Sequence, residues 1–243
     1  MKRYPGMRKK EKLCALVLAL LLLFGACAGA ESADWTCPMC GQTGNTGNFC
    51  PTCGTARPGS GANEHLKQIP GETDRVEVSV LRIDGSSCIR DKKDPYLYES
   101  WNAIDRDDAT CWQFSAKNLK KNPPWLAMIV EGQTIDEIWI KNGFRAANKK
   151  GKPQYPLYAR LKEIRVVFSN TENGDMEEMT FTLSDENDGG WEKLDTGRHE
   201  NVYDVMVYVL SVYKGSSKKN NACLDEIMLV QKGSPADARP VIE

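Results

Sequence analysis

The sequence predicts an all-β protein: a jelly-roll β-sandwich with a small cysteine-rich module on its N-terminal side. Three observations predict it. Between residues 76 and 232 a series of short apolar stretches follow one another, separated by Gly-, Asn- and Asp-containing turns. Several of these stretches alternate apolar and polar residues one by one, the period of a half-buried strand, and none keeps the 3.6-residue period of a long helix. Ahead of them, Cys37-Pro38-Met39-Cys40-Gly41 is followed by Cys50-Pro51-Thr52-Cys53-Gly54. Two such knuckles put four sulfur ligands within reach of one ion.

The first element, residues 1–30, has the three parts of a secretory signal peptide. Lys2, Arg3, Arg8, Lys9, Lys10 and Lys12 make a basic start, Leu13 to Phe24 is an unbroken apolar run, and Ala28-Gly29-Ala30 is a small-x-small cleavage site. The run is too short to span a bilayer as a helix. Phe24-Gly25-Ala26-Cys27 also resembles a lipobox, which would anchor the chain through lipid on Cys27. The expected location is outside the cell or at its surface, with no membrane span in the mature chain.

Residues 31–56 form the cysteine module, which resembles a zinc ribbon. Zinc on Cys37, Cys40, Cys50 and Cys53 would stabilise a fold too small to bury a core of its own. With all four positions sulfur, such a site is closed to water and substrate, so its role is structural or one of interaction. Two disulfides are the rival in an oxidising compartment. Residues 57–75 contain Pro58-Gly59-Ser60-Gly61 and then polar residues, which predicts a flexible linker.

The large domain spans 76–232. Val76, Val78, Val80 and Leu81 predict a first strand, and Trp125 to Val130 a second after Pro123-Pro124. Ile138 and Ile140 alternate with Glu137, Trp139 and Lys141, which turns Trp139 toward solvent or a second sheet. Ile164, Val166 and Phe168 alternate in the same way. Phe181 and Leu183 mark a short strand before a turn at 185–190. Residues 202–213 are apolar on both faces, as a central strand is, and Leu224 to Val230 closes the set. Residues 233–243 are a tail.

Charge and missing motifs exclude several functions. The chain has a net charge of −1, but residues 31–243 hold 26 Lys and Arg against 32 Asp and Glu, a net of −6. That balance argues against nucleic acid as a partner, which needs clustered cations. The large domain has one histidine, His199, and no G-x-S-x-G, HExxH, phosphate-cradling loop or dinucleotide fingerprint.

Trp101 to Phe114, WNAIDRDDATCWQF, carries the most specific signal. It resembles the N-A-[IV]-D-x-x-x-x-T-x-W segment of discoidin-like, galactose-binding-like β-sandwiches, and among them it is similar to the NADase-type glycan-binding domain of bacterial secreted proteins. Residues 136–144, 161–169 and 205–230 resemble the same family in the same order. The resemblance covers roughly residues 76–231. It implies binding of a carbohydrate or cell-surface glycan rather than turnover. It also implies a calcium held by Asp105, Asp108, Thr110 and Glu226, although Arg106 and Asp107 stand where small residues are usual. From composition alone the same stretch reads as an acidic, solvated turn. Relatives often pin the two ends of this domain together, which implies a Cys88–Cys223 disulfide; three small buried thiols, with Cys111 the third, are the plainer account.

Sugars present apolar C–H faces and a rim of hydroxyls, which aromatic planes and nearby polar groups recognise. Among residues of the loops at the sandwich ends, Tyr98, Trp101, Arg145, Tyr158, Tyr213 and Lys214 fit that chemistry, with Tyr96 beside them. The expected function is therefore a secreted, non-catalytic carbohydrate-binding protein. The alternative is an assembly scaffold that binds other proteins at the cell surface and no sugar.

Overall fold

The computed structural model describes residues 34–57, 66–148, 150–170, 174, 176–186 and 190–233. The signal-peptide and lipobox expectations, the tail from 234 on and part of the linker lie outside the described residues.

Among the described residues, nine strands and one short 3-10 turn make up the fold: β1 (Leu66–Gln68), β2 (Arg75–Val78), β3 (Arg82–Gly85), the turn Ser100–Ala103, β4 (Trp112–Ser115), β5 (Trp125–Asn142), β6 (Ala159–Ser169), β7 (Met176–Thr182), β8 (Glu192–Tyr213) and β9 (Asn221–Lys232). The strands pair in the order β1-β2-β9-β5-β8-β6-β7, with β3 on β5 and β4 on β9. The all-β sandwich expected from the alternating stretches is the fold observed.

Two long strands carry both layers. β5 has 18 residues and β8 has 22. The first part of β5 pairs with β3, the last part with β9, and β8 follows it along both. The ladder between β5 and β8 slips after Ile129. There Glu131 and Gly132 take left-handed backbone (φ 53° and 78°), and Asn201 does so on β8 (φ 54°). An extra residue in a ladder bends and twists the strand, so both strands turn from one layer into the other at the same place. The sequence signals read each half as a separate strand because Glu131-Gly132 looks like a turn.

Between the layers lies the core. Trp112, Phe114, Leu126, Met128, Ile138, Ile140, Ile164, Val207, Leu224 and Leu229 are all buried in one cluster. A second, smaller cluster lies elsewhere: Ile69, Trp139, Met228 and Val230, with Trp191 against them.

Two regions differ from the sequence reading. The expected strand at 76–81 is two strands, because the chain turns between Val78 and Arg82. The expected linker is partly folded: Leu66–Gln68 pairs with Val76–Val78, and Arg75 already pairs with Lys232 on β9. The alternation that starts at Val76 gives a partner to the Leu66 segment, whose composition alone had nothing to mark it as strand.

The cysteine module lies against β3. The Ala56 N–H donates to the Leu81 carbonyl at 3.1 Å, and Thr55 bridges to Arg82. Gly54 has a left-handed φ of 68°, and a Cβ there would come within 2.0 Å of the Ile83 carbonyl oxygen, so only glycine allows this approach. Among the described residues no helix is long and apolar enough to cross a membrane.

Candidate functional site

The alternation of β5 and β9 gives each strand two faces. Ile138 and Ile140 on β5, and Ile227 and Leu229 on β9, point into the core. The residues between them must point the other way. Register aligns Lys141 with Glu226, Trp139 with Met228, and Glu137 with Val230. On the other flank β8 places Lys193 beside Trp139, and β2 places Glu77 beside Val230. Outward from this sheet, therefore, stand a tryptophan, a methionine and several charges.

That face is concave. The turn after β1, Ile69 to Glu72, walls one side; Trp191, just before β8, and Arg106, from the loop before β4, wall the other. The groove between them has a volume of about 500 Å³. Two indoles line it, with centroids 6.4 Å apart and planes inclined by 52°. Trp139 is only 2 % exposed although it faces away from the core. Its ring is fixed at the edge: Nε1 donates to Glu137 Oε2 at 2.7 Å. Glu137 is itself held by Arg75 through a fork of two bonds, Nε at 3.0 Å and Nη2 at 3.1 Å. Burial would raise the Glu137 carboxyl, but Arg75 and Trp139 outweigh it and keep it below the usual range.

Cations cover the indole faces. Lys193 Nζ lies 3.9 Å from the Trp139 centroid, and Lys141 Nζ and the Arg106 guanidinium lie 5.1 and 5.5 Å from that of Trp191. Each is also paired. Lys193 donates to Glu72 at 2.7 Å, Lys141 to Asp108 at 2.6 Å, and Arg106 to both Glu77 and Glu226.

Arg106 ties the acidic bend to the groove. Asp105 accepts the Asp107 N–H at 3.0 Å and the Thr110 hydroxyl at 2.8 Å; Asp107 accepts the Ala109 N–H at 2.9 Å. These bonds hold a tight turn that puts Arg106 in left-handed backbone, φ 63°. From there its Nη1 reaches Glu226 Oε2 at 2.7 Å and the Ile227 carbonyl at 3.1 Å. Glu226 is fully buried, and its Oε1 has no hydrogen-bond donor. Burial pushes its carboxyl up to about 8 against the pull of Arg106, with the Asp105 carboxyl adding to the rise. Asp105 is likewise raised, by burial first. The half-buried Asp105 and the buried Glu226 oppose one another's ionisation. The neighbouring Asp225 is the extra residue of a bulge where β9 slips against β5; burial lifts it to about 7.

Of the residues expected to hold calcium, Asp105, Thr110 and Glu226 stand together, while Asp108 is turned to Lys141. Arg106 brings a positive charge to the place where a cation was expected. Among the described residues the only group of three or more acidic, histidine or cysteine side chains close enough to share an ion is the four cysteines.

The expected sugar contacts occupy several packing environments, and Arg145 borders a pocket with Asn142, Ser184 and Glu192. Tyr98 and Tyr158 pack with Phe144 around Cys111 and Cys223, and burial pushes the Tyr98 hydroxyl up to about 12. Trp101 packs on the core and against Tyr96. Tyr213 donates its hydroxyl to the Leu183 carbonyl at 2.8 Å. Arg145 lies over the Tyr155 ring. Lys214 is exposed. The outer-face groove was missed, although the alternation at 138–141 and the W-x-K spacing of Trp191 and Lys193 were its signals.

Cys88 lies apart from Cys223, packed on the main core, whereas Cys111 is the thiol beside Cys223. The implied Cys88–Cys223 disulfide gives way to three free thiols because β4 pairs with β9 and brings Cys111 there instead.

In the cysteine module, the sulfurs of Cys37, Cys40, Cys50 and Cys53 all lie within 4.8 Å of one another, close enough to hold one metal ion. Cys37 and Cys53 are 3.5 Å apart, and Cys40 and Cys50 are 3.6 Å apart. A tetrahedron of sulfurs each about 2.3 Å from zinc has edges of about 3.8 Å, whereas a disulfide closes to about 2.05 Å. The spacing therefore fits a shared ion. A glycine closes each knuckle: the Gly41 N–H donates to the Cys37 carbonyl, and the Gly54 N–H to the Cys50 carbonyl.

No family model matches the chain, and no curated protein matches it. Solved structures do resemble it. The F5/8 type C domain of a Bacteroides fragilis protein is 16% identical, with a TM-score of 0.48, over 68% of this chain and 99% of that one. The family 32 carbohydrate-binding module of C. perfringens NanJ, solved in complex with galactose, is 13% identical, with a TM-score of 0.42, over 61% of this chain and 92% of that one. The family 32 module of AlyQ, solved in complex with 4,5-unsaturated mannuronic acid, is 10% identical, with a TM-score of 0.42, over 63% of this chain and 96% of that one.

Proposed function

We propose that the chain is a secreted carbohydrate-binding protein of the NADase-type glycan-binding kind, which holds its ligand in the outer-face groove without turning it over. The observation that carries this reading is the pair of inclined indoles, Trp139 and Trp191, in an open concavity rimmed by hydrogen-bonding charges. An indole plane suits the apolar face of a pyranose, and the charged rim suits its hydroxyls. The sequence resemblance at 101–114 points to the same ligand class.

Glu226 lines the floor of the groove with a carboxyl raised by burial, but it has no exposed surface and its Oε2 is bonded to Arg106, so it is not offered to a ligand as a free proton donor. That supports binding over hydrolysis. The basic start and apolar run of residues 1–30 support export, with lipid on Cys27 as the anchored variant. For the cysteine module we propose structural zinc.

A glycan array tests the main reading: saturable sugar binding that is lost in Trp191→Ala is expected. Dimerisation or partner capture with no sugar bound would favour the scaffold instead, and release of new reducing ends would refute the claim of no turnover. For the module, elemental analysis should find one zinc per chain, with Cys37, Cys40, Cys50 and Cys53 reactive to a thiol probe only after chelation.

A further inference from the structure

We propose that Lys193 is a stand-in for the ligand's own ammonium, so that the groove selects glycans bearing a free amino group, a deacetylated hexosamine, over neutral or N-acetylated ones. This rests on the groove being the glycan site.

Trp139 is the best-fixed aromatic face in the groove, since Glu137 holds its edge. What sits on that face is a cation: Lys193 Nζ, 3.9 Å from the ring centroid. The same ammonium donates to Glu72 at 2.7 Å. The two contacts together define an ammonium site, an indole face with a carboxylate beside it. Lys193 is its most replaceable part. Its side chain is 44 % exposed and sits on a flexible stem, whereas Trp139 and Glu137 are buried.

A ligand that reaches Trp139 must move Lys193 aside. A neutral sugar would then exchange a cation–π contact and an ion pair for C–H contacts alone, and would leave Glu72 without its bonded lysine. A hexosamine restores both, with its ring on the indole and its ammonium on Glu72. The remaining cations do not oppose this, because each is held by another acid: Lys141 by Asp108, Arg106 by Glu77 and Glu226, and Arg75, whose Nη1 lies 3.9 Å from Glu72, by hydrogen bonds to Glu137 and Asp74.

The test is calorimetric titration of the full chain with a β-1,4-linked glucosamine oligomer and with its fully N-acetylated counterpart. Wild type should bind the amine form at least tenfold tighter. Lys193→Ala, which removes the competitor, should raise affinity for the amine form severalfold, and Glu72→Gln should erase the preference while the thermal midpoint of both variants stays near wild type. Equal affinity for the two forms would overturn the amine inference and leave the glycan reading standing. Binding of neither form, when other sugars on the array do bind, would also overturn it, and binding of no sugar at all would end both. A lysine-rich peptide that displaces the oligomer at lower concentration would show that the ammonium belongs to a protein and refute the sugar assignment.

Discussion

The two faces of one sheet, where β5 and β9 run side by side, are built for different ends. On the inner face Ile138, Ile140, Ile227 and Leu229 belong to the main cluster of buried apolar side chains. On the outer face, at the intervening positions, Glu137, Trp139, Glu226 and Met228 are also buried and Lys141 is half-buried, yet most are polar and bonded to neighbours on the same strand or on the loop before β4. Burial alone does not separate core from site. The inner face is apolar because it excludes water permanently; the outer face keeps its charges because it opens on a groove.

Substitutions on either side of this sheet should separate the two roles. The largest loss of stability is expected for Ile138→Ala: about 4 kcal/mol in chemical denaturation, from lost burial and the cavity left behind, with ligand affinity unchanged in the folded fraction. Trp139→Ala should cost somewhat less stability, about 3 kcal/mol, yet lower sugar affinity by at least about thirtyfold, as loss of a central aromatic contact does. If Ile138→Ala weakened binding as much as Trp139→Ala, the division between faces would collapse. Arg106→Ala is next, at roughly 2 kcal/mol, because it strips Glu226 of its ion pair while leaving that acid able to take up a proton.

A further effect is a slope with pH. Glu226 is raised from 4.5 to about 8 and Asp225 from 3.8 to about 7, so the folded state binds protons that the unfolded state has released. An acid whose folded pKa is raised favours the fold at low pH and loses that contribution as pH rises from its unfolded to its folded value. The thermal midpoint should therefore fall between about pH 4.5 and 8. Glu226→Gln should flatten the upper part of that fall, between about pH 7 and 8, measured by melting curves across the range. An inner-face change such as Ile138→Ala should move the whole curve without changing its slope.

Strands were legible in the sequence where alternation was clean. Ile138 and Ile140, or Ile164, Val166 and Phe168, announce one buried face each, and the structure puts them there. The bend that makes β5 a single strand was not, since Glu131-Gly132 has the chemistry of a turn and only pairing with β8 carries the chain through it. The cysteine cluster was fully legible because its ligands lie close in sequence. The groove was not. Trp139, Lys193, Glu72 and Arg106 meet through registers between strands far apart along the chain, and no local pattern encodes which residue lies opposite which. The acidic bend was read for its carboxylates; its decisive side chain is Arg106, whose placement depends on a left-handed backbone that sequence does not announce.

The most direct measurement follows the indole N–H signals of the six tryptophans by two-dimensional NMR while a bound oligosaccharide is titrated in. Trp139 and Trp191 should shift together and saturably, with Trp101, Trp112, Trp125 and Trp35 still. Shifts confined to Trp101 and to the backbone around Tyr98, Tyr158 and Lys214, with Trp139 and Trp191 unmoved, would place the ligand at the end of the sandwich and contradict the outer-face site.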